Sequence, residues 1–426
     1  MKWPRRLLGA ALLLALAGVV WLYLPGRAKP ARFGPEDCRR LALTDAGTGR
    51  PITGIEDIAP HGGWLFLAAQ DRLAAEAAGR AGRPAPEGAI YRLPLAALAA
   101  PGPLALAPAT LPGFAGPLHP HGIDAGRGRL VAINRRYGPE GGAGVDLRVY
   151  AIRAAGLEPL HQAPAPGLCA ANDVLLGDRA VRFTLDRAHC PGISAWEAVW
   201  PGAGGALGRM ALGGDGDSGD GSGDDGGGDE GDGDGSAESD GDGDGSGGDG
   251  SGASGGDDSG DDDGSAESNG GADGGGGGLA RIAEGLVYPN GLAEFPYAGA
   301  PHLAVAETRA RRVTLLPAAG PGGAADRQHI DLPGAPDNLM PAPGGRVLAA
   351  LHPSLLRLAL YRFGWRSRAP SRLVAIHPAD GRVEMLYDDP SGRRFSAATV
   401  GHLTGAGILV AGSVRDAGLL VCGGAA

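Results

Sequence analysis

Six stretches of the sequence share one pattern: a polar pair, a short apolar segment, a turn with Gly or Pro, and a second apolar segment. The polar positions of the six copies are Glu56, His121, Asn172, Asn290, Asp337 and Thr399. They are 65, 51, 118, 47 and 62 residues apart, and the longest interval falls to 52 without one 66-residue tract. This period, with short strands and little helical periodicity, predicts an all-β fold, a six-bladed β-propeller with one four-stranded sheet per repeat. A pair of β-sandwiches is the alternative, and it does not account for the even period.

The tract left out of that spacing, residues 213–278, differs in composition from the rest of the chain. It holds 21 of the 48 acidic residues, none of the 38 basic ones and no aromatic residue, so the chain's net charge of -10 belongs to the tract alone. Because it has almost no apolar side chain to bury, we expect a disordered Gly/Asp-rich insertion at a hairpin tip. A calcium-loaded β-roll would need an aliphatic residue in each repeat, and the tract has none.

The N-terminal segment, residues 1–30, predicts a signal anchor or transmembrane segment. Basic residues at positions 2, 5 and 6 precede an uncharged, mostly apolar run from Leu7 to Leu24, which is at the lower edge of the length that crosses a bilayer. An uncleaved anchor would export the rest of the chain and keep it at the membrane, whereas a cleaved signal peptide would release it. The expected propeller domain is 31–426, interrupted by the acidic insertion.

The four cysteines fit an exported protein. Cys38 and Cys422 lie near the two ends of the predicted propeller, where a bridge would close the ring. Cys169 and Cys190 could form a second bridge, and buried free thiols are the alternative for both pairs. Neither spacing resembles a zinc site.

The polar positions of the repeat predict a metal centre. In a propeller the innermost strand of each blade meets the central channel, so equivalent positions of different repeats converge there. The side chains expected at the channel mouth are Glu56, Asn172, Asn290, Asp337 and Asn338. Two carboxylates and three amides are oxygen ligands of the kind that Ca²⁺ prefers, whereas zinc would need nitrogen or sulfur. Asp57 and Asp173 point the opposite way along their strands and could hold a second ion deeper in the channel. For each residue singly, the alternative is a side chain that only caps its own strand.

The ordered motifs "EDI", "HPHGI", "NDV", "PNG", "DN" and "HPS", with a cysteine near each end, resemble the serum paraoxonase/arylesterase family. That family consists of six-bladed calcium propellers that hydrolyse lactones and aryl esters. The motifs extend over nearly all of the chain between Cys38 and Cys422.

The resemblance implies two calcium ions and a set of site residues. The residues that match ligands of the catalytic ion are Glu56, Asn172, Asn290, Asp337 and Asn338. Those that match ligands of the structural ion are Asp57, Asp173 and, through its carbonyl, Ile123. The residues that match the substrate pocket are His121, the first histidine of a proposed catalytic dyad, with His352, Tyr288 and Asp186. Cys38 and Cys422 match the family's disulfide.

Two positions depart from the family pattern. Arg135 is expected in the substrate pocket, where the family has its second dyad histidine, and Ala350 or Leu351 stands where it has a free cysteine. Because an arginine stays protonated and cannot relay a proton, a two-histidine mechanism is not expected.

The predicted function is calcium-dependent hydrolysis of lactones or aryl esters by water. The ion would polarise the substrate carbonyl, and His121 would act as the base, with Asp337 or Glu56 as the fallback. The alternative for His121 is a histidine that merely packs in the core. Two other functions stay open: a propeller enzyme of the gluconolactonase or strictosidine-synthase type, and a non-catalytic envelope propeller that binds a partner.

Other chemistries are not expected. A propeller offers no nucleophile elbow for a serine hydrolase, and no P-loop is present. The arginines outside the acidic tract are scattered over predicted loops, which is typical of a solvated surface, so nucleic acid is not an expected partner.

Overall fold

The structure is a computed structural model that describes residues 29–137, 144–164, 168, 170–187, 204–212, 279–320 and 326–423. The apolar run of the predicted anchor, the acidic insertion and the Cys169 and Cys190 pair lie outside the described residues. Within the described part of the chain, no helix combines the length and the apolar character needed to span a membrane.

The described chain is built mainly from short β-strands. Their bounds are β1 (Cys38–Leu41), β2 (Leu43–Asp45), β3 (Ile55–His61), β4 (Trp64–Ala69), β5 (Ala89–Pro94), β6 (Leu104–Leu106), β7 (Pro120–Gly126), β8 (Arg129–Arg136), β9 (Gly144–Ile152), β10 (Leu157–Pro164), β11 (Ala171–Leu176), β12 (Ala180–Leu185), β13 (Gly205–Ala211), β14 (Ala280–Leu286), β15 (Pro289–Tyr297), β16 (Ala300–Glu307), β17 (Arg312–Pro317), β18 (Gln328–Asp331), β19 (Ala335–Ala342), β20 (Arg346–His352), β21 (Ser371–His377), β22 (Arg382–Asp389), β23 (Ala398–Leu403), β24 (Leu409–Ser413) and β25 (Leu419–Cys422).

Six antiparallel sheets form the blades of a propeller, which confirms the predicted fold. The blades are β3–β5, β7–β10, β11–β14, β15–β18, β19–β22 and, last, β23–β25 with β1. The innermost strands β3, β7, β11, β15, β19 and β23 each contact the next one, and β23 contacts β3. The six copies of the sequence repeat are therefore six blades around one axis.

The two ends of the chain close the ring in the last blade. Strand β1 pairs antiparallel with β25, and Cys38 lies opposite Cys422. A disulfide joins the two cysteines, which confirms the predicted bridge. The first blade differs from the expected four strands, because β3–β5 form a sheet of three and β2 pairs separately with β6.

The second strands of the blades are continuous apolar runs rather than alternating patterns. Examples are residues 65–69 of β4, 130–133 of β8 and 347–351 of β20, all of which are buried. Both faces of a blade pack against neighbouring blades, so each side chain of such a strand meets an apolar surface. This packing explains why the strands read as unbroken Leu, Val, Ile and Ala segments.

Two helices interrupt the blades, although the sequence shows little helical periodicity. Helix α1 (Arg72–Arg80) begins after Asp71, whose carboxylate accepts a hydrogen bond from the backbone N–H of Ala74. Helix α2 (Leu355–Arg362) begins after Ser354, whose hydroxyl accepts one from Arg357. Both caps satisfy backbone donors that the first turn leaves unpaired.

The acidic insertion joins two neighbouring strands of one blade. Strand β13 ends at Ala211 and β14 begins at Ala280, and the two strands pair antiparallel, with Arg209 opposite Ala280. The strand ends on either side of the insertion are therefore adjacent, as the hairpin-tip prediction requires.

Candidate functional site

A cavity of about 670 Å³ lies where the six innermost strands begin. Each of these strands contributes its second or third residue to the lining, and together these residues are Glu56, His121, Asn172, Asn290, Asp337 and Thr399. Helices α1 and α2 form further walls through Arg72, Glu76, Leu358 and Arg362. Repeat positions up to 343 residues apart in sequence thus face one space.

Two glycines of the repeat motifs permit the close approach of the innermost strands. A Cβ atom on Gly122 would lie 2.7 Å from the carbonyl oxygen of Asn172, and one on Gly291 would lie 2.4 Å from that of Asp337. A side chain at either position would therefore push two candidate ligands apart. This crowding accounts for the glycines in "HPHGI" and "PNG".

The predicted calcium ligands differ in how they meet the cavity. Glu56, Asn172, Asn290 and Asp337 line it, and Asn290 Nδ2 donates to Asp337 Oδ1 over 2.6 Å. Asn338 is buried beside them and donates its Nδ2 to the backbone carbonyl of Glu56, 2.9 Å away. That hydrogen bond links β19 to β3 across the channel.

The donor set fits a calcium ion. Asn290 Oδ1 is buried and has no hydrogen-bond partner among the described residues. A buried amide oxygen without a partner costs stability unless a donor or a cation binds it. The described residues include no cluster of three or more His, Cys, Asp and Glu side chains suited to a metal, so the fit depends on amide oxygens beside two carboxylates. Ca²⁺ accepts such a mixture.

The pair predicted for the structural ion, Asp57 and Asp173, is buried one residue further along β3 and β11. Burial raises the pKa of Asp57 to about 8. Burial and the neighbouring charge of Asp57 raise the pKa of Asp173 well above its ordinary value. Two buried carboxylates that repel each other form a site that a cation would stabilise. Ile123 meets Asp57 through its N–H, which donates to Asp57 Oδ2 over 2.8 Å.

These carboxylates also tie neighbouring blades together. Asp173 Oδ2 accepts from the N–H of Leu292 on the next blade over 2.7 Å. Asp124 Oδ2 accepts in the same way from Leu176 over 2.8 Å. The sequence pattern missed Asp124 as an inter-blade contact, because it lies two positions past the pair position, residues 121 and 122, of its repeat.

Helix α1 brings Arg72 into the ligand ring. Its Nη2 lies 2.8 Å from Glu56 Oε1 and also donates to Nδ1 of His121. Because a guanidinium only donates, Nδ1 is occupied and the proton of a neutral His121 ring is on Nε2. Burial, followed by the charges of Arg135 and Arg72, lowers the pKa of His121 well below its ordinary value. His121 is therefore a neutral ring with one nitrogen already engaged.

His352 has the complementary arrangement. Its Nε2 donates to Asp337 Oδ2 over 2.7 Å, so its Nδ1 carries no proton in the neutral ring. Nδ1 is buried and has no hydrogen-bond partner in the described part of the protein. His352 lines the same cavity.

The remaining predicted pocket residues also line the cavity. Tyr288 has a backbone φ of 54°, a strained conformation for a bulky side chain, and the guanidinium carbon of Arg309 lies 4.3 Å from its ring centroid. Asp186 is buried and pairs through Oδ1 with Nε of Arg187, 2.7 Å away. An acidic pocket residue is therefore already neutralised by its neighbour.

Arg135 lies in the same cavity. Its Nη2 donates to the carbonyl of Ala171 over 3.0 Å, and its Nε is buried without a partner among the described residues. Burial, together with the charge of Arg72, lowers the pKa of Arg135. The residue remains a cation at neutral pH and offers hydrogen-bond donors only.

The arginines of the cavity were not among the predicted site residues, apart from Arg135. The sequence signal for Arg72 was Asp71, a helix N-cap residue directly before an Ala-rich segment. That signal marks where α1 begins, but it does not show that the helix lies over the channel.

The comparisons with known proteins give only distant likenesses. No family model matches the sequence, and no curated protein matches it. Similar solved structures include a gluconolactonase from Xanthomonas campestris, with 14% identity, 93% of this chain and 97% of that chain covered, and a TM-score of 0.41. The calcium-binding protein regucalcin from Agrobacterium tumefaciens has 12% identity, 88% and 90% coverage, and a TM-score of 0.44. A luciferin-regenerating enzyme has 10% identity, 90% and 96% coverage, and a TM-score of 0.44.

Likenesses of this size carry no argument about activity. The fold assignment rests on the six sheets and the closed ring of innermost strands. The paraoxonase/arylesterase family is not shown by these comparisons, so that resemblance stays a prediction from the motifs.

Proposed function

We propose that this protein hydrolyses lactones, with aryl esters as a second substrate class, and that it requires calcium. The observation that carries the proposal is the convergence of Glu56, Asn172, Asn290 and Asp337 on a cavity that two histidines also line. These residues come from four different blades. Buried polar groups lower the stability of the folded protein unless they have partners, so a set of them at equivalent positions indicates a binding or catalytic site.

Calcium would be held by Glu56, Asn172, Asn290, Asp337 and Asn338. When bound, it would supply Lewis-acid polarisation of the substrate carbonyl and stabilisation of the negative charge that develops there. A second ion, held by Asp57, Asp173 and the carbonyl of Ile123, would keep neighbouring blades in register.

The base that activates water is, in this proposal, His352. Asp337 holds its Nε2 hydrogen and orients the ring, which leaves Nδ1 as the acceptor for a proton from water. His121, the base predicted from the sequence, has its Nδ1 occupied by Arg72. We assign His121 a positioning role, in which it fixes Arg72 and Asn172 beside the substrate carbonyl.

The cavity walls favour a ring substrate of modest size. Leu358 and Ala359 of α2 give one apolar side, and Tyr288 gives an aromatic side. A cavity of about 670 Å³ matches a small lactone or phenyl ester rather than a polymer.

The test is an assay of the full-length protein on a series of lactones and on phenyl acetate. Turnover should be present with calcium, fall in excess chelator and return when calcium is added back. Calcium binding without turnover of any substrate would favour the non-catalytic propeller. Turnover that a chelator leaves unchanged would contradict the calcium requirement.

We also propose that the propeller is exported and remains anchored through residues 1–30. The support is the Cys38 and Cys422 disulfide, since such bridges persist in oxidising compartments. Fractionation of cells that express the full chain, with protease added outside, would test this location.

A further inference from the structure

Three of the carboxylates that line the cavity form ion pairs with arginines, and Arg135 is outside these pairs. Glu56 pairs with Arg72, and Glu76 pairs with Arg362 over 2.8 Å. Asp186 pairs with Arg187 and Asp337 with His352, over 2.7 Å each. Every carboxylate among the described lining residues therefore has its own partner.

Arg135 has no such partner. Among the described residues, no carboxylate lies within ion-pair distance of its guanidinium, and its one hydrogen bond goes to a backbone carbonyl. Its partly buried side chain keeps a donor, Nε, unpaired. A guanidinium taken out of water without a counter-charge is costly, and it forms strong paired hydrogen bonds to a carboxylate or phosphate.

We propose that the substrate of this cavity carries a negatively charged group, a carboxylate or a phosphate, and that Arg135 binds it. This inference rests on the proposed lactone hydrolysis and narrows it to anionic lactones. Arg135 lies in the same cavity as His121 and the calcium ligands. A substrate can therefore place its carbonyl at the ligand ring while its anionic group meets Arg135.

Acidic lining residues do not argue against this. Glu56, Glu76 and Asp186 are each compensated by an arginine, and the fourth, Asp337, would be compensated by a bound calcium ion. An anionic substrate would supply the negative counter-charge that Arg135 lacks.

The experiment compares three γ-lactones that differ in one substituent: a carboxylate, its methyl ester and a phosphate monoester. Steady-state kcat and KM are measured on the full-length protein with calcium, at low and high NaCl. Wild type is expected to favour a charged lactone at least about tenfold in kcat/KM, mainly through KM, with the preference shrinking in salt. The charged lactone with the higher kcat/KM identifies the anion.

Variants of Arg135 test its role. Arg135→Gln should lower the charged-to-neutral ratio of kcat/KM by about 10- to 100-fold. Arg135→Lys should keep part of the ratio, since it retains the charge and loses the paired donors. Arg136→Gln is the matched control, because it removes an exposed charge from the neighbouring position of β8. Thermal melting checks that each variant is folded.

The outcomes separate this inference from the proposed activity. A wild-type ratio near one, or a ratio that Arg135→Gln does not change, would overturn the anionic substrate and leave lactone hydrolysis standing. If no lactone is turned over, calorimetric binding of glutarate and of its neutral diamide decides. If wild type binds glutarate and Arg135→Gln does not, the anion site is supported independently of the proposed activity. If wild type does not bind glutarate, the inference is overturned.

Discussion

Arg72 Nη2 lies 2.8 Å from Glu56 Oε1, so a guanidinium from a helix contacts a side chain predicted to bind a cation. Both side chains are largely buried. Without a metal, this pair keeps the Glu56 charge compensated. With a metal, the same guanidinium would stand next to a second positive charge. The two residues therefore link the metal-free stability of the site to its affinity for calcium.

The first prediction concerns this competition. Arg72→Gln should tighten calcium binding by about tenfold, because removing a nearby positive charge lowers the repulsion that an incoming cation meets. It should also lower the melting temperature of the metal-free protein, since Glu56 loses its partner. Calorimetric titration of the full chain with calcium measures the first effect and a melt in chelator the second.

The control for Arg72 is on the same helix. Arg80→Gln removes an exposed arginine of α1 that contacts Glu76 only at 3.9 Å, and should change neither quantity. Equal calcium affinities of wild type and Arg72→Gln would show that Arg72 does not oppose the ion. No calcium binding by either protein would contradict the calcium site itself.

His402 provides a prediction about pH that is independent of the metal site. Burial lowers the pKa of His402, on β23, to about 4. The unfolded chain, with an ordinary histidine pKa near 6.5, binds a proton that the folded protein does not. The stability that neutral His402 contributes is thus complete above about pH 6.5, and it is lost as the pH falls towards 4.

The corresponding measurement is urea unfolding of the full chain between pH 7 and 4.5. His402→Leu should lose less stability over this range than wild type, by about 2 kcal/mol. His161→Gln, which replaces an exposed histidine on β10, is the control and should behave as wild type. Parallel pH curves for wild type and His402→Leu would be incompatible with a half-buried histidine that stays neutral in the folded protein.

The fold and the candidate site differ in how far the sequence could predict them. Within each blade the strands after the innermost one follow as consecutive hairpins, apart from β1 in the last blade, so the repeat period was enough to predict six blades. Glu56 and Asn290 could be assigned to one cavity because they hold equivalent positions in their repeats. Arg72 could not, since its place depends on how α1 packs over the channel, and no local pattern encodes that contact. The three-stranded first blade was missed for the same reason, because β6, the strand that follows β5, pairs with β2 rather than with β5.

Deletion of the acidic insertion tests whether it lies outside the repeat that forms its blade. Replacing residues 213–278 with a short Gly-Ser turn should leave folding and activity intact. The reason is that β13 and β14 are paired neighbours, and the entropic cost of closing a loop grows only slowly with loop length. Melting temperature and lactone turnover of the shortened chain measure this. A shortened protein that fails to fold would mean that the insertion contributes to the blade. A folded but inactive one would give the insertion a role at the site.

The last prediction ranks the residues of the proposed reaction. Asn290→Ala and Asp337→Ala should cost the most activity, because each removes a calcium ligand and Asp337 also orients His352. His352→Gln should lower kcat by about 10² to 10⁴-fold, the usual loss when a general base is removed. His121→Gln should cost less, since Nδ1 of His121 already accepts a hydrogen bond from Arg72. Steady-state rates on one good lactone, with the calcium content of each variant measured, give the order. If His121→Gln abolishes turnover with calcium still bound while His352→Gln retains it, water is activated at His121, and Arg72 must leave Nδ1 during the reaction.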